Sequence, residues 1–326
     1  MASTTAIRTI LPGLAAVLSS QAVAAGTGLN TRDQNPMLQA YYLPSIDIQQ
    51  DSGWYLRHSL FITNTFQKED TANESLLIDV ENYRYDLSLA YQAEHWRISA
   101  TLPFIANDGG SLDGLIEDWH DTFNLPQGGR VTNPDDQISL SYSRNGQTIF
   151  EQTRSDSNIG DLGLSFNYRL TKAENASTEL GIGIELPTGS IESNSGNEST
   201  DIALWLNKSG QLSEQITFYG LIGLSLPGKG GQLKDHLKER IWLAQIGSEY
   251  DFTANMTGVM QIDLHTATLN DTELKAFDNS VQLQLALQFK NWFNNYHVDL
   301  FFSEDIMVKS APDITFGLRL SRINFE

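Results

Sequence analysis

Asp113, Glu117 and Asp121 recur at i, i+4 and i+8, with Asp118 and His120 between them and Arg130 downstream. On a helix this spacing gathers the three carboxylates on one face. Carboxylates beside an imidazole can supply a general base, a group that orients it, or oxygen ligands for a hard cation. His120 with Asp118 or Asp121 is therefore the cluster to test for catalysis. No nucleophile motif accompanies it, and the same residues also read as a solvated helix face folded over the mouth of a larger structure. Nothing in the sequence assigns a metal or a cofactor.

The element that must position this cluster is a helix inside a long loop, 107–135. Leu112, Leu115, Ile116, Trp119 and Phe123 fall at helical spacing and make one apolar stripe, opposite Asp113 and Glu117. Ser111 is a candidate N-cap, Asp113 suits the positive end of the helix, and Pro126 with Gly128 and Gly129 ends the segment.

Composition narrows the rest. Of 326 residues, 40 are acidic and 21 basic, a net charge of −19. Nucleic acid is bound by clustered Lys and Arg that displace counterions, so that partner is excluded. There is no cysteine, which removes disulfides, thiolate nucleophiles and thiolate metal sites together. Past the first 25 residues no apolar run approaches the ~20 residues a membrane-crossing helix needs.

The first residues read as a secretory signal, 1–24. Arg8 precedes the apolar stretch Ile10 to Leu18, and Ala22-Val23-Ala24 offers small residues for cleavage. Residues 25–53 then form an N-terminal segment assigned to the periplasmic side; the sequence leaves open whether it hangs there or enters the structure that follows. Without cysteine there is no lipoprotein anchor.

From residue 54 to 326 the chain is organised by alternation. Val281, Leu283, Leu285, Leu287 and Phe289 alternate with Gln282, Gln284, Ala286 and Gln288, giving a strand with one oily and one amide-rich face. The same pattern recurs at Leu162 to Leu170, Leu180 to Leu186, Met256 to Leu264, Tyr296 to Phe302 and Ile314 to Leu320, although Val259 interrupts the polar face of its strand.

A soluble sandwich and a transmembrane barrel both alternate in this way, and the connections distinguish them. Short turns such as 93–95, 253–255 and 293–295 alternate with longer acidic or Gly-rich stretches near 67–73, 107–135, 188–199, 227–238, 267–277 and 304–312. That is the habit of outer-membrane barrels. The expected fold is all-β: a single antiparallel transmembrane β-barrel of about 12 strands, an even number as in bacterial barrels, with one short amphipathic helix in a long extracellular loop. Trp54, Trp96, Trp242 and Trp292 fall near strand ends, where indoles favour the water boundary. A hairpin at 137–144 and 147–152, turning at Asn145-Gly146, is placed to extend the sheet above the membrane. Phe325 is penultimate and out of phase with Phe316, Leu318 and Leu320.

By strand phase the lumen is lined by Arg84, Asp86, Arg97, Asp161, Arg169, Glu185, Asp263, Asp299 and Arg319. Mixed signs point to a salt-bridged interior at least as much as to an ion-selective one. His265 and His297 fall on the lumen side, and His58 toward lipid.

Asn35-Pro36-Met37-Leu38-Gln39, the segment from Gly110 to Arg130, and Gly160-Asp161-Leu162-Gly163-Leu164 followed by Leu186-Pro187-Thr188-Gly189 together resemble a proteobacterial outer-membrane family of unknown function, DUF3187. The resemblance spans nearly the whole mature chain and implies a membrane barrel. It carries no established activity or catalytic residues.

Three functions are compatible with such a barrel. The first is a passive or selective conduit for small solutes in the outer membrane of a Gram-negative bacterium. The second is an outer-membrane enzyme acting on lipid or lipopolysaccharide through His120, Asp118 and Asp121. The third is a structural or receptor barrel whose acidic loops bind an adhesion partner or a phage. The expected partners are outer-membrane lipid, lipopolysaccharide and the barrel-assembly machinery, with the ligand unspecified.

Overall fold

A computed structural model describes residues 28–48, 52–123, 134–173, 176–293, 296–307 and 310–323. The expected signal 1–24 and the chain end at Phe325 and Glu326 lie outside the described residues.

Fifteen strands make one antiparallel sheet. In chain order they are β1 (Gly53–Asp70), β2 (Glu74–Gln92), β3 (Trp96–Asp108), β4 (Ser139–Arg144), β5 (Gln147–Gln152), β6 (Asp156–Ile159), β7 (Leu162–Ala173) and β8 (Ala176–Leu186). They continue as β9 (Asp201–Gln211), β10 (Ile216–Leu226), β11 (Ile241–Thr253), β12 (Met256–His265), β13 (Ser280–Phe293), β14 (Tyr296–Asp305) and β15 (Ile314–Ile323). One α-helix stands among the described residues, α1 (Asp113–Phe123), in the loop after β3.

β1 pairs with β2 on one side and with β15 on the other, and β3 reaches β7, so β1 to β3 and β7 to β15 close a barrel of 12 strands. Closure satisfies every ladder donor and acceptor within the ring, the condition for crossing hydrocarbon. The alternating apolar residues face outward: Leu180, Ile182, Leu204, Met260, Leu285, Leu287, Leu300 and Leu318 are all exposed large apolar side chains. Trp54, Trp96 and Trp292 stand at the short-turn rim and Trp242 at the other; Trp54, Tyr91 and Trp96 form a run of ring contacts.

The wall extends beyond the membrane on the long-loop side. β1 and β2 run for 18 and 19 residues, and the upper part of β2 pairs with β4, which forms the expected hairpin with β5. Asn145 and Gly146 both take positive φ, as a two-residue hairpin turn requires. The alternating run Leu162 to Leu170 lies within β7, and a separate short strand, β6, precedes it. β6 pairs with the top of β3, Gly160 donates to the carbonyl of Pro103 at 2.7 Å, and β7 starts at Leu162. A Cβ on Gly160 would press on the ring of Pro103 at 2.7 Å, so glycine is needed where the strand steps past the proline.

The largest departure from expectation is the N-terminal segment. The part of residues 25–53 that the structure describes, 28–48, does not hang in the periplasm; it enters the lumen as a finger. Leu29, Ile46 and Ile48 share an apolar cluster with the inward side chains Phe61, Trp205, Tyr219, Leu221, Val259 and Phe301. The tip, formed by Met37, Leu38 and Tyr41, packs beyond the membrane against Leu76, Ile78, Leu140, Tyr142, Leu233 and Phe277. Val259, which interrupts its polar face, is therefore in place as part of the finger's seat. The physical reason is burial: lumen walls carrying aromatic and aliphatic side chains need an apolar cover, and the finger provides it.

Candidate functional site

The finger is held by inward amides and carboxylates. Gln261 accepts from Leu29 N at 3.0 Å and donates back to Leu29 O at 3.2 Å. Gln245 accepts from Ile46 N at 2.6 Å, and Glu249 from Gly28 N at 3.0 Å. Thr31 donates to Asp263 at 3.1 Å, and His265 pairs with Asp33 at 2.9 Å. These contacts lie on β11 and β12. The amide-rich faces seen in the sequence are thus a ladder of receptors for finger backbone, whose polar groups would otherwise be buried without partners.

The tip is Asn35-Pro36-Met37-Leu38-Gln39. Asp33 accepts from Asn35 N at 2.7 Å and Asn35 from Met37 N at 2.9 Å, side-chain bonds that shape the turn. Gln39 accepts from Asn82 at 2.7 Å and donates to the carbonyl of Asn194 at 2.7 Å. The finger therefore bridges β2 and the loop after β8.

The other motif pieces form one clasp. Asp161 accepts from Gly189 N at 2.7 Å and from Asn197 N at 3.0 Å. Thr188 Oγ1 accepts from Leu162 N at 3.0 Å and donates to Gly160 O at 2.7 Å. Burial pushes the Asp161 carboxyl above its ordinary value against the opposing pull of these N–H donors.

The finger does not fill the lumen evenly. On its β9 to β14 side the packing is close. Facing β2, β3 and β7, a cavity of about 110 Å³ remains. Its far wall is built from Ser88, Ala90, Ser99, Thr101, Gly163 and Ser165, side chains too short to reach the finger. Ser88 and Thr101 bond each other at 2.8 Å, as do Ser99 and Ser165 at 2.6 Å. A Cβ built on Gly163 would just touch Thr101 O and the Tyr42 ring, both at 3.8 Å, so a small side chain fits there without a clash.

Charges ring this chamber. Arg84 pairs with Asp86 at 2.8 Å, Arg57 with Asp47 of the finger at 2.9 Å, and Arg32 of the finger with Glu185 at 3.9 Å. Arg169 and Arg97 share Glu179, at 3.1 and 3.7 Å, and Arg97 also donates to the carbonyl of Asp47. Arg97 is 2% exposed, and its Nε and Nη1 have no hydrogen-bond partner among the described residues. Elsewhere in the lumen Arg319 pairs with Asp299 at 3.1 Å and donates to Asn30 O at 2.7 Å.

The structure thus places Arg84, Asp86, Arg97, Asp161, Arg169, Glu185, Asp263, Asp299 and Arg319 in the interior. Arg84, Asp86, Arg97, Asp161 and Glu185 line the chamber, whereas Asp263 and Arg319 hold the finger. Arg57 and Glu179 belong to the same network and are in phase with their lumenal neighbours, a signal that strand phase carries. Arg32 and Asp47 had no such signal, because the finger has no periodicity.

The acidic helix lies elsewhere. Glu81, on the outward phase of Tyr83 and Tyr85, accepts from Ser111 N and Leu112 N, each at 3.0 Å. Asp113 is buried, accepting from Asn64 at 3.0 Å and from Asp136 N at 2.9 Å. The start of α1 is therefore clamped by Glu81 to the outside of the extended β1–β2 wall, correcting the placement over the mouth, and Asp113 does not share a solvated face with Asp121. Ile116 is buried, Glu117 half-buried, and Asp118 and Asp121 exposed. The side chains of Leu115, Trp119, His120 and Phe123 lie outside what the structure describes. No group of three or more His, Cys, Asp or Glu that could hold a metal is found among the described residues.

His58, on the outer phase, bonds the Tyr85 hydroxyl at 2.6 Å.

Among solved structures, an outer membrane channel from Pseudomonas putida F1 is similar with a TM-score of 0.56 at 12% identity, over 85% of this chain and 97% of that one. The NanC porin gives a TM-score of 0.45 at 8% identity, over 83% and 100%. The toluene transporter TodX of P. putida gives 0.44 at 10%, over 93% and 96%. Only the first likeness is close enough to speak to fold, and it speaks to fold alone. No curated protein matches the chain. A family model described as protein of unknown function (DUF3187) matches residues 6–322, and the chain belongs to that family.

Proposed function

We propose that the protein is a conduit for small polar solutes in the outer membrane of a Gram-negative bacterium, with its path along the chamber beside the finger. One observation carries this reading: a wall of Ser, Ala, Thr and Gly leaves a charged, hydroxyl-lined cavity between the finger and β2, β3 and β7. Short polar side chains there leave room for water and a solute, where longer ones would have completed the packing. The finger makes the path narrow, so the reading is of a small, selective conductance rather than a wide pore. The exposed apolar band contacts outer-membrane lipid and lipopolysaccharide, and folding into that band engages the barrel-assembly machinery.

Planar-bilayer recording tests it. The purified full chain gives small unitary currents, Gly163→Phe abolishes them by filling the chamber, and deletion of residues 28–48 replaces them with large ones. Absence of current from all three proteins, each shown to be folded, discards the conduit.

A further inference from the structure

The end of the chamber that faces the long loops is shut by amides. Its wall residues Arg84 and Pro103 are followed up their strands, in the same inward phase, by Asn82 on β2 and, past Ile105, by Asn107 on β3. Asn82 donates to Gln39 of the finger at 2.7 Å and to Asn107 at 2.8 Å, and Asn107 donates to Ser193 O at 3.4 Å. Gln39, Asn82 and Asn107 are all buried. The seal is made of neutral groups, and each of its bonds exchanges for one to water at small net cost.

The piece that completes the seal is a lobe of the loop after β8, residues 190–196. It is bonded to itself: Ser195 N and Gly196 N both donate to Ser190 O, at 3.0 and 3.1 Å, and Asn194 N to Ile191 O at 3.1 Å. Its neck is Gly189 against Gly196, where a Cβ on either would meet the other's Cα, at 2.9 and 2.8 Å. Below the neck Asp161, itself on the chamber wall, accepts from Gly189 N and Asn197 N and so pins both ends. Beyond the neck the lobe reaches the rest of the molecule through amides. Asn194 donates to Pro36 O at 2.8 Å, Gln39 donates to Asn194 O at 2.7 Å, and Gln232 to Ile191 O at 3.3 Å. Ser193, Asn194 and Ser195 are buried, yet neither apolar cluster of the described residues takes a side chain from the lobe. A body with its own internal bonds, a two-glycine neck and no apolar anchorage can swing as a unit, breaking only bonds that water replaces.

We propose that residues 190–196 are a lid on the outward end of the chamber, hinged at Gly189 and Gly196 over Asp161 and latched by Gln39, Asn107 and Asn194. This rests on the conduit reading for its purpose, since a lid regulates passage, but its motion can be read without any current. The finger stays in its seat, because Leu29 and Ile46 are held by apolar packing and by Gln261 and Gln245 on the far wall.

The chain has no cysteine of its own, so single cysteines on intact cells report exposure to a charged, membrane-impermeant methanethiosulfonate, read by mass after purification. Ser193→Cys is modified at least about tenfold more slowly than Glu192→Cys, which is exposed on the same lobe. Adding Asn194→Gly, which removes a latch amide and tolerates the positive φ of 52° at that position, or adding Asn107→Ala, raises the Ser193→Cys rate at least about tenfold, the shift that one lost hydrogen bond gives an opening equilibrium. Leu29→Cys, at the root of the finger, stays unmodified in either background. In bilayers Asn194→Gly lengthens the open time, and a short thiol bridge between Asn107→Cys and Ser193→Cys shuts the conductance until it is cleaved. Circular dichroism shows each variant folded; should one latch variant fail to fold, the other decides. A Ser193→Cys rate unmoved by either latch variant, or matched by a rising Leu29→Cys rate, overturns the lid, as does unaltered current through the bridged protein. A rate that responds in a protein without current upholds the lid and discards the conduit.

Discussion

Thr31 Oγ1 donates to Asp263 Oδ2 at 3.1 Å, tying a finger that precedes the barrel in sequence to the inner wall of β12. Asp263 also accepts from Gln261 and Gln284, at 2.7 and 3.2 Å. The carboxylate is thus the hub through which finger, β12 and β13 are fixed together. Because the chain has no cysteine of its own, Thr31→Cys with Asp263→Cys can be bridged cleanly by a short bifunctional thiol reagent. Bridging is expected to leave unitary conductance small and remove any transition to larger states, and cleavage of the bridge to restore them. Bilayer recording before and after cleavage is the check.

Gln261→Ala removes the acceptor and the donor that serve both backbone groups of Leu29. Leaving buried polar groups unpaired costs about 1–3 kcal/mol each. The finger is therefore expected to loosen while the barrel persists. Trypsin cleavage at Arg32 in reconstituted protein should accelerate several-fold, with the sheet signal in circular dichroism unchanged.

Gly317→Ala sets a methyl group against the ring of Phe301, which covers this glycine from the neighbouring strand. Phe301 packs in turn on Phe61, ring centroids 5.3 Å apart. Overpacking of this kind costs about 1–3 kcal/mol. The urea midpoint for unfolding from lipid vesicles should fall, whereas Gly114→Ala, where a built Cβ meets nothing within 4 Å, should leave it in place.

Leu285→Arg tests which solvent meets the outer face. Leu285 is exposed in the middle of β13, and an arginine near a bilayer midplane costs a barrel about 2–4 kcal/mol. A matching loss of folding free energy into vesicles is expected; a change near zero would show that the face does not meet hydrocarbon.

Glu81→Ala strips the acceptor from Ser111 N and Leu112 N at the start of α1. The loop after β3 should then become protease-sensitive on the cell surface, at a local cost of about 1–3 kcal/mol, with conductance unaltered because the helix stands outside the wall. Proteolysis of intact cells followed by fragment mapping reads this directly.

The barrel was legible because its physics is periodic. Val281 to Phe289 alternates since one side of β13 meets lipid and the other the interior, and each such run gives a strand. Short and long connections gave the two ends. The finger was not legible, because Leu29, Thr31, Asn35 and Ile46 are surrounded on all sides and have no solvent-facing phase to reveal them. Its traces lay in the partners: the excess of inward Gln on β11 to β13, and the misplaced Val259. The chamber was half visible. Arg84, Asp86, Arg97 and Glu185 follow from phase, and Arg57 could have been added by the same rule, but their pairing depends on Asp47 and Arg32 of the finger. The acidic helix misled because Asp113 takes its role from Asn64 on a distant strand, which helical spacing cannot show.

Leu29 and Gln261 are 232 positions apart, and the surface that receives Leu29 exists only after β12 has been laid between its neighbours. The bore therefore cannot be stopped by local folding of this segment: its apolar and amide partners are supplied by strands more than two hundred residues further along the chain.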